Sequence, residues 1–158
     1  MSIFNPEVNV SLNLLHTVAE SIYADTAIKI KEAVSNSMDN NASKFLIYFD
    51  KKNKRLSLID NGSGISNNYL TKVLKNIGYG LEKNDNNKLS YYGLGLMSVI
   101  RLGQRVTLYS KTTTQKKILK ALFNSKEIFN KKNENKSINF LSNCITIDVV
   151  NDKTRQEN

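Results

Sequence analysis

Two apolar runs joined by a short polar turn place the strongest constraint on how this chain folds. Residues 44–49 and 55–59 are rich in aromatic and aliphatic side chains, and the turn between them is strongly polar. This pattern predicts a β-hairpin. A second pair of strands is predicted at residues 105–109 and 117–123, and a last strand at residues 145–149. Because these strands are interspersed with helical patterns, we expect an α+β fold: a two-layer α/β sandwich with a mixed, mostly antiparallel sheet and helices on one face.

Apolar residues at helical spacing predict helices between these strands. Residues 1–22 begin with an alternating arm and continue with a helical pattern. A second helix is predicted over residues 26–40, a third over about 66–77 and a short fourth over 94–102. Between the third and the fourth, residues 78–92 are polar, glycine-bearing and rich in asparagine, which is typical of a mobile segment.

Length and composition limit the classes of protein. The chain has 158 residues, and we expect one domain over residues 1–150 with a frayed tail over 151–158. Residues 124–143 are too polar for a definite prediction. No apolar run approaches the roughly 18 residues of a membrane span, and no signal peptide is visible, so we expect an intracellular, cytoplasmic protein. The single cysteine, Cys144, and the single histidine, His16, argue against a disulfide and against a metal site built on these residue types.

The chain is basic, with 23 Lys and Arg against 14 Asp and Glu and a formal net charge of +9. Clusters of lysine and arginine can bind along the phosphate backbone of a nucleic acid, so DNA is a possible partner. Lysine and asparagine are both frequent, however, and a bias in composition explains much of the charge. A solvated basic surface is therefore the favoured interpretation.

The second predicted helix carries polar residues on one side. Glu32, Asn36 and Asp39 fall within about 60° of one another at helical geometry. The opposite side carries a predicted apolar stripe of Ala27, Ile30, Val34 and Met38. On its own, the polar side is most simply a solvated face. The same residue types also suit chemistry, because an asparagine oxygen can bind Mg²⁺ and a glutamate can act as a base for water.

The loop D-N-G-S-G-I follows directly after the second strand. Asp60 places an anionic acceptor at the end of that strand, and Gly62 and Gly64 allow positive φ and the close approach of a ligand. A simple turn is the alternative, since Asn-Gly is a common turn pair. The chain continues as a helix rather than as a returning strand, which favours a small-molecule site.

A third glycine-bearing segment, Y-Y-G-L-G-L-M-S, precedes the fourth predicted helix. Gly93 and Gly95 lie where the first backbone N–H groups of that helix would point at an anion. The segment is not a Rossmann fingerprint, because Ser98 stands at the last position and no strand directly precedes the glycines. A packed glycine pair is the alternative interpretation.

The three motifs occur in the order E-x-x-x-N-x-x-D, D-N-G-x-G-I and G-x-G-x-x-S. In this order they resemble the N, G1 and G2 boxes of the GHKL superfamily, which includes gyrase B subunits, the ninety-kilodalton heat-shock chaperone, sensor histidine kinases and MutL. The resemblance covers about residues 10–111. Within the superfamily the sequence is most similar to MORC, MutL and topoisomerase VI B-subunit ATPase domains. The resemblance implies a Bergerat-type ATP-binding fold.

The same resemblance implies roles for individual residues. Glu32 would be the general base for the attacking water, and Asn36 would coordinate Mg²⁺. Asp60 would accept a hydrogen bond from the adenine amino group, and Asp39 would support the helix and loop around the site. The other implied nucleotide-binding residues are Gly62, Gly64 and Ile65 in the second motif and Gly93, Leu94, Gly95 and Leu96 in the third. Residues 78–92 would be the ATP lid, with Gly78, Gly80, Lys83 and Lys88.

Two departures from the family pattern affect the expected activity. Many relatives begin the last strand with Gly-Thr, whereas this chain has Asn143 and Cys144 there, and Thr146 would supply the hydroxyl instead. Hydrolytic members of the gyrase and MutL type also take a phosphate-sensing lysine from a following domain. Here Lys83, Lys88 or a partner would have to supply that group.

The resemblance therefore implies an ATP-binding domain with slow Mg²⁺-dependent hydrolysis. It would act as a nucleotide-gated switch with a partner protein, as a homodimer, or on DNA. One alternative is a stand-alone regulatory protein kinase of the anti-sigma-factor or histidine-kinase type, although Asp39 and the D-N-G triplet favour the hydrolase branch. The other alternative is a nucleotide-binding module that does not hydrolyse ATP.

Overall fold

The computed structural model describes residues 25–75, 94–133 and 138–151. The predicted arm and helix of residues 1–22, the proposed lid and the predicted tail lie outside these ranges, apart from Asn151. The helices and strands are, in chain order, α1 (Thr26–Asp39), β1 (Phe45–Asp50), β2 (Arg55–Asp60), α2 (Asn67–Lys75), α3 (Leu94–Ile100), β3 (Val106–Ser110), β4 (Ile118–Phe123), α4 (Ser125–Ile128), a 3₁₀-helix (Lys131–Asn133), α5 (Ile138–Asn143) and β5 (Ile145–Val150). The α+β prediction is confirmed. No helix in the described ranges is both long enough and apolar enough to cross a bilayer.

The strands pair antiparallel, as the hairpin patterns predict. β1 and β2 form a two-stranded ladder whose register runs from Phe45 opposite Asp60 to Asp50 opposite Arg55. β3, β4 and β5 form a three-stranded sheet in that order. A hydrogen bond joins the two parts, because the Ile65 backbone N–H donates to Ser110 Oγ at 2.6 Å. The end of β2 is therefore held beside the end of β3.

The turn of the first hairpin is closed by one side chain. Asn53 donates its backbone N–H to Asp50 Oδ1 at 3.0 Å and its amide to Asp50 Oδ2 at 2.7 Å. These hydrogen bonds favour the charged carboxylate and lower the pKa of Asp50 below its usual value. Lys54 adopts a positive φ of 50° and completes the turn.

The core lies between the helices and one face of the three-stranded sheet. Alternate residues of β4 and β5 point to this face, as the period of a strand requires. α2 and α3 cover it with their apolar side chains. The buried cluster consists of Leu70, Leu74, Met97, Ile100, Leu119, Ala121, Phe123, Ile128, Cys144, Ile145 and Ile147.

Helix α1 begins and ends where the sequence predicts, but it buries a different face. Asp25 caps it by accepting from the Ala27 N–H at 2.9 Å. The predicted apolar stripe is wrong at its ends, since Ala27 is exposed and Met38 keeps 68% of its surface accessible, while Ile30 and Val34 are half-buried. The buried residues are Ala33 and Ser37. At 100° per residue they lie between the predicted stripe and the polar side of the helix.

Residues 124–143, for which the sequence allowed no definite prediction, contain short helical turns. Ile128 of α4 is fully buried in the core cluster. The buried Asn133 donates its amide to the Glu127 carbonyl oxygen at 3.0 Å. Tertiary burial and side-chain hydrogen bonds hold these turns, which are too short to be stable through helix propensity.

Candidate functional site

The carboxylate of Asp60 is held at the end of β2 by two donors. The Gly62 backbone N–H donates to Oδ1 at 2.8 Å, and the Ser37 hydroxyl lies 3.2 Å from Oδ2. The Asp60 side chain is exposed. Each carboxylate oxygen can accept more than one hydrogen bond. The arrangement therefore fixes the direction of the carboxylate and leaves acceptor capacity for an external amino or hydroxyl group.

Glu32 and Asn36 meet the first turn of α3. A methyl group built on Gly95 would lie 3.1 Å from Glu32 Oε2 and 3.6 Å from Asn36 Oδ1. Both side chains are half-buried. A side chain at position 95 would therefore crowd the Glu32 carboxylate, while its distance to Asn36 would be an ordinary contact. A carboxylate and a carboxamide thus lie together beside the start of α3.

The glycines after Asp60 are required by the chain itself. Gly64 has a φ of +74°, and a side chain there would overlap the carbonyl oxygen of Lys111. A methyl group on Gly62 would lie 2.8 Å from the carbonyl oxygen of Asn40. The expected positive φ is found at Gly64 and not at Gly62. The loop passes close to the end of α1 at Gly62 and close to the end of β3 at Gly64, and neither place has room for a side chain.

Several residues that build this loop were not predicted from the sequence. Asn61 Oδ1 accepts from the backbone N–H groups of Ser43, at 3.0 Å, and Lys44, at 2.8 Å. The Ser63 N–H donates to the Asn40 carbonyl oxygen at 2.8 Å. Together with Ser37, these contacts tie the loop to α1 and to the start of β1. The only feature of the sequence that pointed to these contacts was the general preference of Asn and Ser for turns.

Asp39 does not hold the loop through Oδ2. This oxygen is buried and has no hydrogen-bond partner within the described residues. The loop contacts at this end of α1 come instead from Ser37 and Asn40. The supporting role predicted for Asp39 therefore stays a prediction.

Thr146 does not lie on the face that packs against the helices. It is opposite Leu122 in the register, while its neighbours Ile145 and Ile147 point into the core. The hydrogen bonds of Asp60 recorded in the described residues involve Ser37 and Gly62. The role predicted for Thr146 therefore stays a prediction.

The remaining predicted residues are partly described. Ile65 and Leu96 pack against the core cluster, and Ser98 Oγ donates to the Gly95 carbonyl oxygen at 2.7 Å. Leu94 is the first residue of α3. Gly78, Gly80, Lys83, Lys88 and Gly93 lie outside the described residues.

Comparison with protein-family models matches residues 24–155 to a family of histidine kinase-, DNA gyrase B- and HSP90-like ATPases. The chaperone protein HtpG of Aliarcobacter butzleri is 30% identical over 68% of this chain and 22% of its own length. The HtpG of Roseobacter denitrificans is 31% identical over 62% of this chain and 20% of its own length. The mitochondrial TNF receptor-associated protein 1 homolog of Dictyostelium discoideum is 28% identical over 64% and 18%. The chain thus spans about a fifth of the length of these relatives.

Proposed function

The chain belongs to the histidine kinase-, DNA gyrase B- and HSP90-like ATPase family, and from this premise we propose that it binds ATP with Mg²⁺ and hydrolyses it slowly. The observation that carries the proposal is the contact of Glu32 and Asn36 with Gly95. A solvated helix face would leave these side chains in water. Here they line the start of α3, where a phosphate chain would receive backbone N–H groups.

Asp60 would recognise the base. Its carboxylate is an acceptor whose orientation is fixed by Ser37 and Gly62. An exocyclic amino group such as that of adenine is the matching donor. A guanine carries a carbonyl oxygen at the corresponding position, so the carboxylate would repel it.

Asn36 fits the expected ligand for Mg²⁺. Its carboxamide is half-buried and has no recorded hydrogen-bond partner in the described residues, so its oxygen is available to a cation. The described residues contain no cluster of three or more His, Cys, Asp or Glu side chains that could hold a metal ion. A bound Mg²⁺ would neutralise charge on the phosphates, from which it would take further oxygen ligands.

Glu32 would accept the proton of the attacking water. Water adds to the terminal phosphorus, the bond to the bridging oxygen breaks, and ADP and phosphate leave. The carboxylate lies beside the start of α3, which places the base close to where the terminal phosphate would lie.

The biological role of ATP binding and hydrolysis is also part of the proposal. A domain of this kind would couple nucleotide binding to dimer formation or to a partner, and the basic charge keeps DNA among the candidates. The relatives named above are chaperones and a mitochondrial homolog, and they favour a protein partner. The finer likeness to MORC, MutL and topoisomerase VI B-subunit domains stays a prediction.

Calorimetry with ADP and Mg²⁺ tests the site directly. Asp60→Asn should weaken binding at least tenfold, because the amide presents a donor as well as an acceptor to the amino group. Asp50→Asn is the matched control, since it makes the same change on a half-buried carboxylate at the end of the other strand of the hairpin. Its affinity should equal that of the wild type.

Phosphate release tests the base. Glu32→Gln should keep nucleotide affinity within about threefold and remove measurable hydrolysis. If the wild type binds no ADP at millimolar concentration, the proposed function is wrong. If it binds and Glu32→Gln hydrolyses ATP as fast as the wild type, only the assignment of the base is wrong.

A further inference from the structure

One stretch of the chain holds a large share of its positive charge. From residue 86 to residue 126 the sequence has eight Lys and Arg residues and no Asp or Glu, although about one residue in eleven of the whole chain is acidic. A general bias toward lysine would add basic residues everywhere and would not remove the acidic ones from one stretch. Its described part, residues 94–126, forms α3, β3, β4 and the start of α4. The charge is therefore concentrated on one part of the fold.

Strand β3 presents exposed side chains on the face of its sheet that is turned away from the core. Its residues Val106 and Leu108 pack against the core cluster, so the alternate residues project to the opposite face. Two basic residues lie directly beside the ends of the strand, about 20 Å apart along it. In chain order, the exposed residues are Arg105, Thr107, Tyr109 and Lys111.

The neighbouring strand and the turn before it add three lysines. Lys120 lies opposite Tyr109 in the register, and its ammonium nitrogen is 5.7 Å from the centroid of the Tyr109 ring. Lys116 and Lys117 are exposed in the turn that joins β3 to β4. Among the described strand residues of this face, only Asp148, opposite Lys120 on β5, is acidic. The face therefore keeps a strong positive charge.

Tyr109 places an exposed aromatic ring within this positive charge. Its side chain keeps 39% of its surface accessible. Aromatic rings stack with nucleic-acid bases of any sequence, and lysine, arginine and hydroxyl groups are the usual donors to phosphate oxygens. Hydroxyl groups lie nearby, at Thr107 on β3 and at Thr112 and Thr114 in the turn. The surface therefore combines an aromatic ring with the donors that a phosphate backbone requires.

We propose that this surface binds a short stretch of single-stranded nucleic acid. One base stacks on the ring of Tyr109, and the phosphates on either side of it contact the basic side chains. A base inside a duplex is already stacked on its neighbours, so a single strand is the form that can use the ring. We name this region the β3–β4 surface, and its members are Arg105, Tyr109, Lys111, Lys116, Lys117 and Lys120.

Fluorescence anisotropy of the full chain with a labelled thymidine oligonucleotide of about 15 nucleotides tests the stacking. Tyr109→Ala should weaken binding at least fivefold, whereas Tyr109→Phe, which keeps the ring, should stay within about twofold of the wild type. Equal affinities in the two variants would overturn the proposal. Thymine has no exocyclic amino group for Asp60, and ATP and Mg²⁺ are left out. The result is therefore independent of the proposed nucleotide site, which this inference goes beyond.

The salt dependence of the same binding tests where the phosphates lie. Lys116→Gln together with Lys117→Gln should reduce the slope of log affinity against log salt concentration by about 1.4, because each phosphate contact of a single strand contributes about 0.7. Both residues are exposed, so this variant keeps the proposal testable should Tyr109→Ala unfold the protein. The matched control is Lys51→Gln with Lys52→Gln in the turn of the first hairpin, which should leave the slope unchanged. Equal reductions in the two double variants would overturn the assignment to the β3–β4 surface.

Competition against the labelled oligonucleotide identifies the class of ligand. Unlabelled thymidine and uridine oligonucleotides of equal length should both displace it, and the tighter of the two distinguishes DNA from RNA as the preferred strand. Polyglutamate of equal charge should displace it at least tenfold less effectively, because it offers no base to the Tyr109 ring. Equal displacement by polyglutamate would overturn the proposal and make an acidic protein segment the ligand. Absence of binding to either oligonucleotide at about 100 µM protein would overturn it as well.

Discussion

Ser37 is the residue through which α1 reaches the end of β2. Its hydroxyl oxygen lies 3.0 Å from the Ala33 carbonyl oxygen and 3.2 Å from Asp60 Oδ2, and the side chain is buried. Because the hydroxyl has a single proton, it can donate a hydrogen bond to only one of these two oxygens at a time. The orientation of the Asp60 carboxylate therefore depends on a side chain that itself belongs to the polar helix.

We expect Ser37→Ala to weaken ADP binding about three- to tenfold, because a lost hydrogen bond to a charged group costs about 1–2 kcal/mol. Calorimetry gives the dissociation constant. Ser35→Ala, two residues earlier on the same helix, should leave the affinity unchanged. An unchanged affinity in Ser37→Ala would mean that Gly62 alone orients Asp60.

Substitution of Gly64 tests whether the loop after Asp60 has room for a side chain at this position. Its positive φ and its contact with the Lys111 carbonyl oxygen both exclude a side chain. We expect Gly64→Ala to lower the free energy of unfolding by about 2 kcal/mol or more. Urea denaturation measures this change. Gly103→Ala, where φ is not left-handed and the nearest atom lies 3.3 Å away, should cost less. Equal losses in the two variants would contradict this account of the loop.

At the scale of elements, helices α1 and α3 pack together at the part of the proposed site where ATP would be hydrolysed. The two helices approach at Gly95, where Glu32 and Asn36 occupy the space a side chain would need. The position of the proposed base is therefore set by the distance between two helices. A small change in that distance would move Glu32 without touching Asp60.

We expect Gly95→Ala to reduce the rate of hydrolysis more than it reduces ADP affinity. The added methyl group would lie 3.1 Å from Glu32 Oε2 and displace the carboxylate, and small misplacements of catalytic groups cost large factors in rate. Phosphate release and calorimetry on the same samples separate the two effects. Equal reductions of rate and affinity would show that Glu32 is not specifically displaced.

The elements with strong local signals were predictable. The two apolar runs with their polar turn and the helical spacing placed β1, β2 and α1 within about one residue, because these signals are local. The buried positions of α1 were not, since tertiary contacts that no local pattern encodes cover Ala33 and Ser37. The short turns after β4 were not predictable either, because the burial of Ile128 and the hydrogen bonds of Asn133 hold them.

The motif residues of the proposed site could be identified from the sequence, but the residues that hold them in place could not. Glu32, Asn36 and Asp60 are recognisable from spacing. The contacts of Asn61 and Ser110 are not, because their partners are 17 and 45 residues away. The motif D-N-G-x-G-I contains Asn61 but does not encode what it binds. The role of Thr146 stays a prediction.

At the scale of the whole molecule, the proposed site joins α1, the end of β2 and the start of α3. These elements come from separate parts of the chain, and unfolding would separate them. A ligand that binds all three stabilises only the folded state. Nucleotide binding should therefore be visible in the stability of the entire protein.

We expect ADP with Mg²⁺, at a hundred times its dissociation constant, to stabilise the protein by about 2.7 kcal/mol. For a chain of this size the melting temperature should rise by roughly 5–10 °C. Differential scanning calorimetry measures the shift. With binding tenfold weaker, Asp60→Asn should be stabilised by only about 1.4 kcal/mol at the same ADP concentration, so its melting temperature should rise about half as much or less. A full rise in that variant would contradict the role given to Asp60.

The division of the strands into a hairpin and a separate three-stranded sheet has a consequence for how the chain reaches its native state. The β1–β2 and β3–β4 ladders close intervals of at most 15 and 17 residues, whereas the β4–β5 ladder closes 22 to 32 residues and the contacts around Asp60 and Ile65 close 23 and 45. Short intervals close at lower entropic cost and therefore sooner. In refolding followed with a fluorescent nucleotide analogue, the β1–β2 and β3–β4 ladders should gain amide protection first. The nucleotide signal should appear only in the last kinetic phase, and an earlier signal would contradict this order.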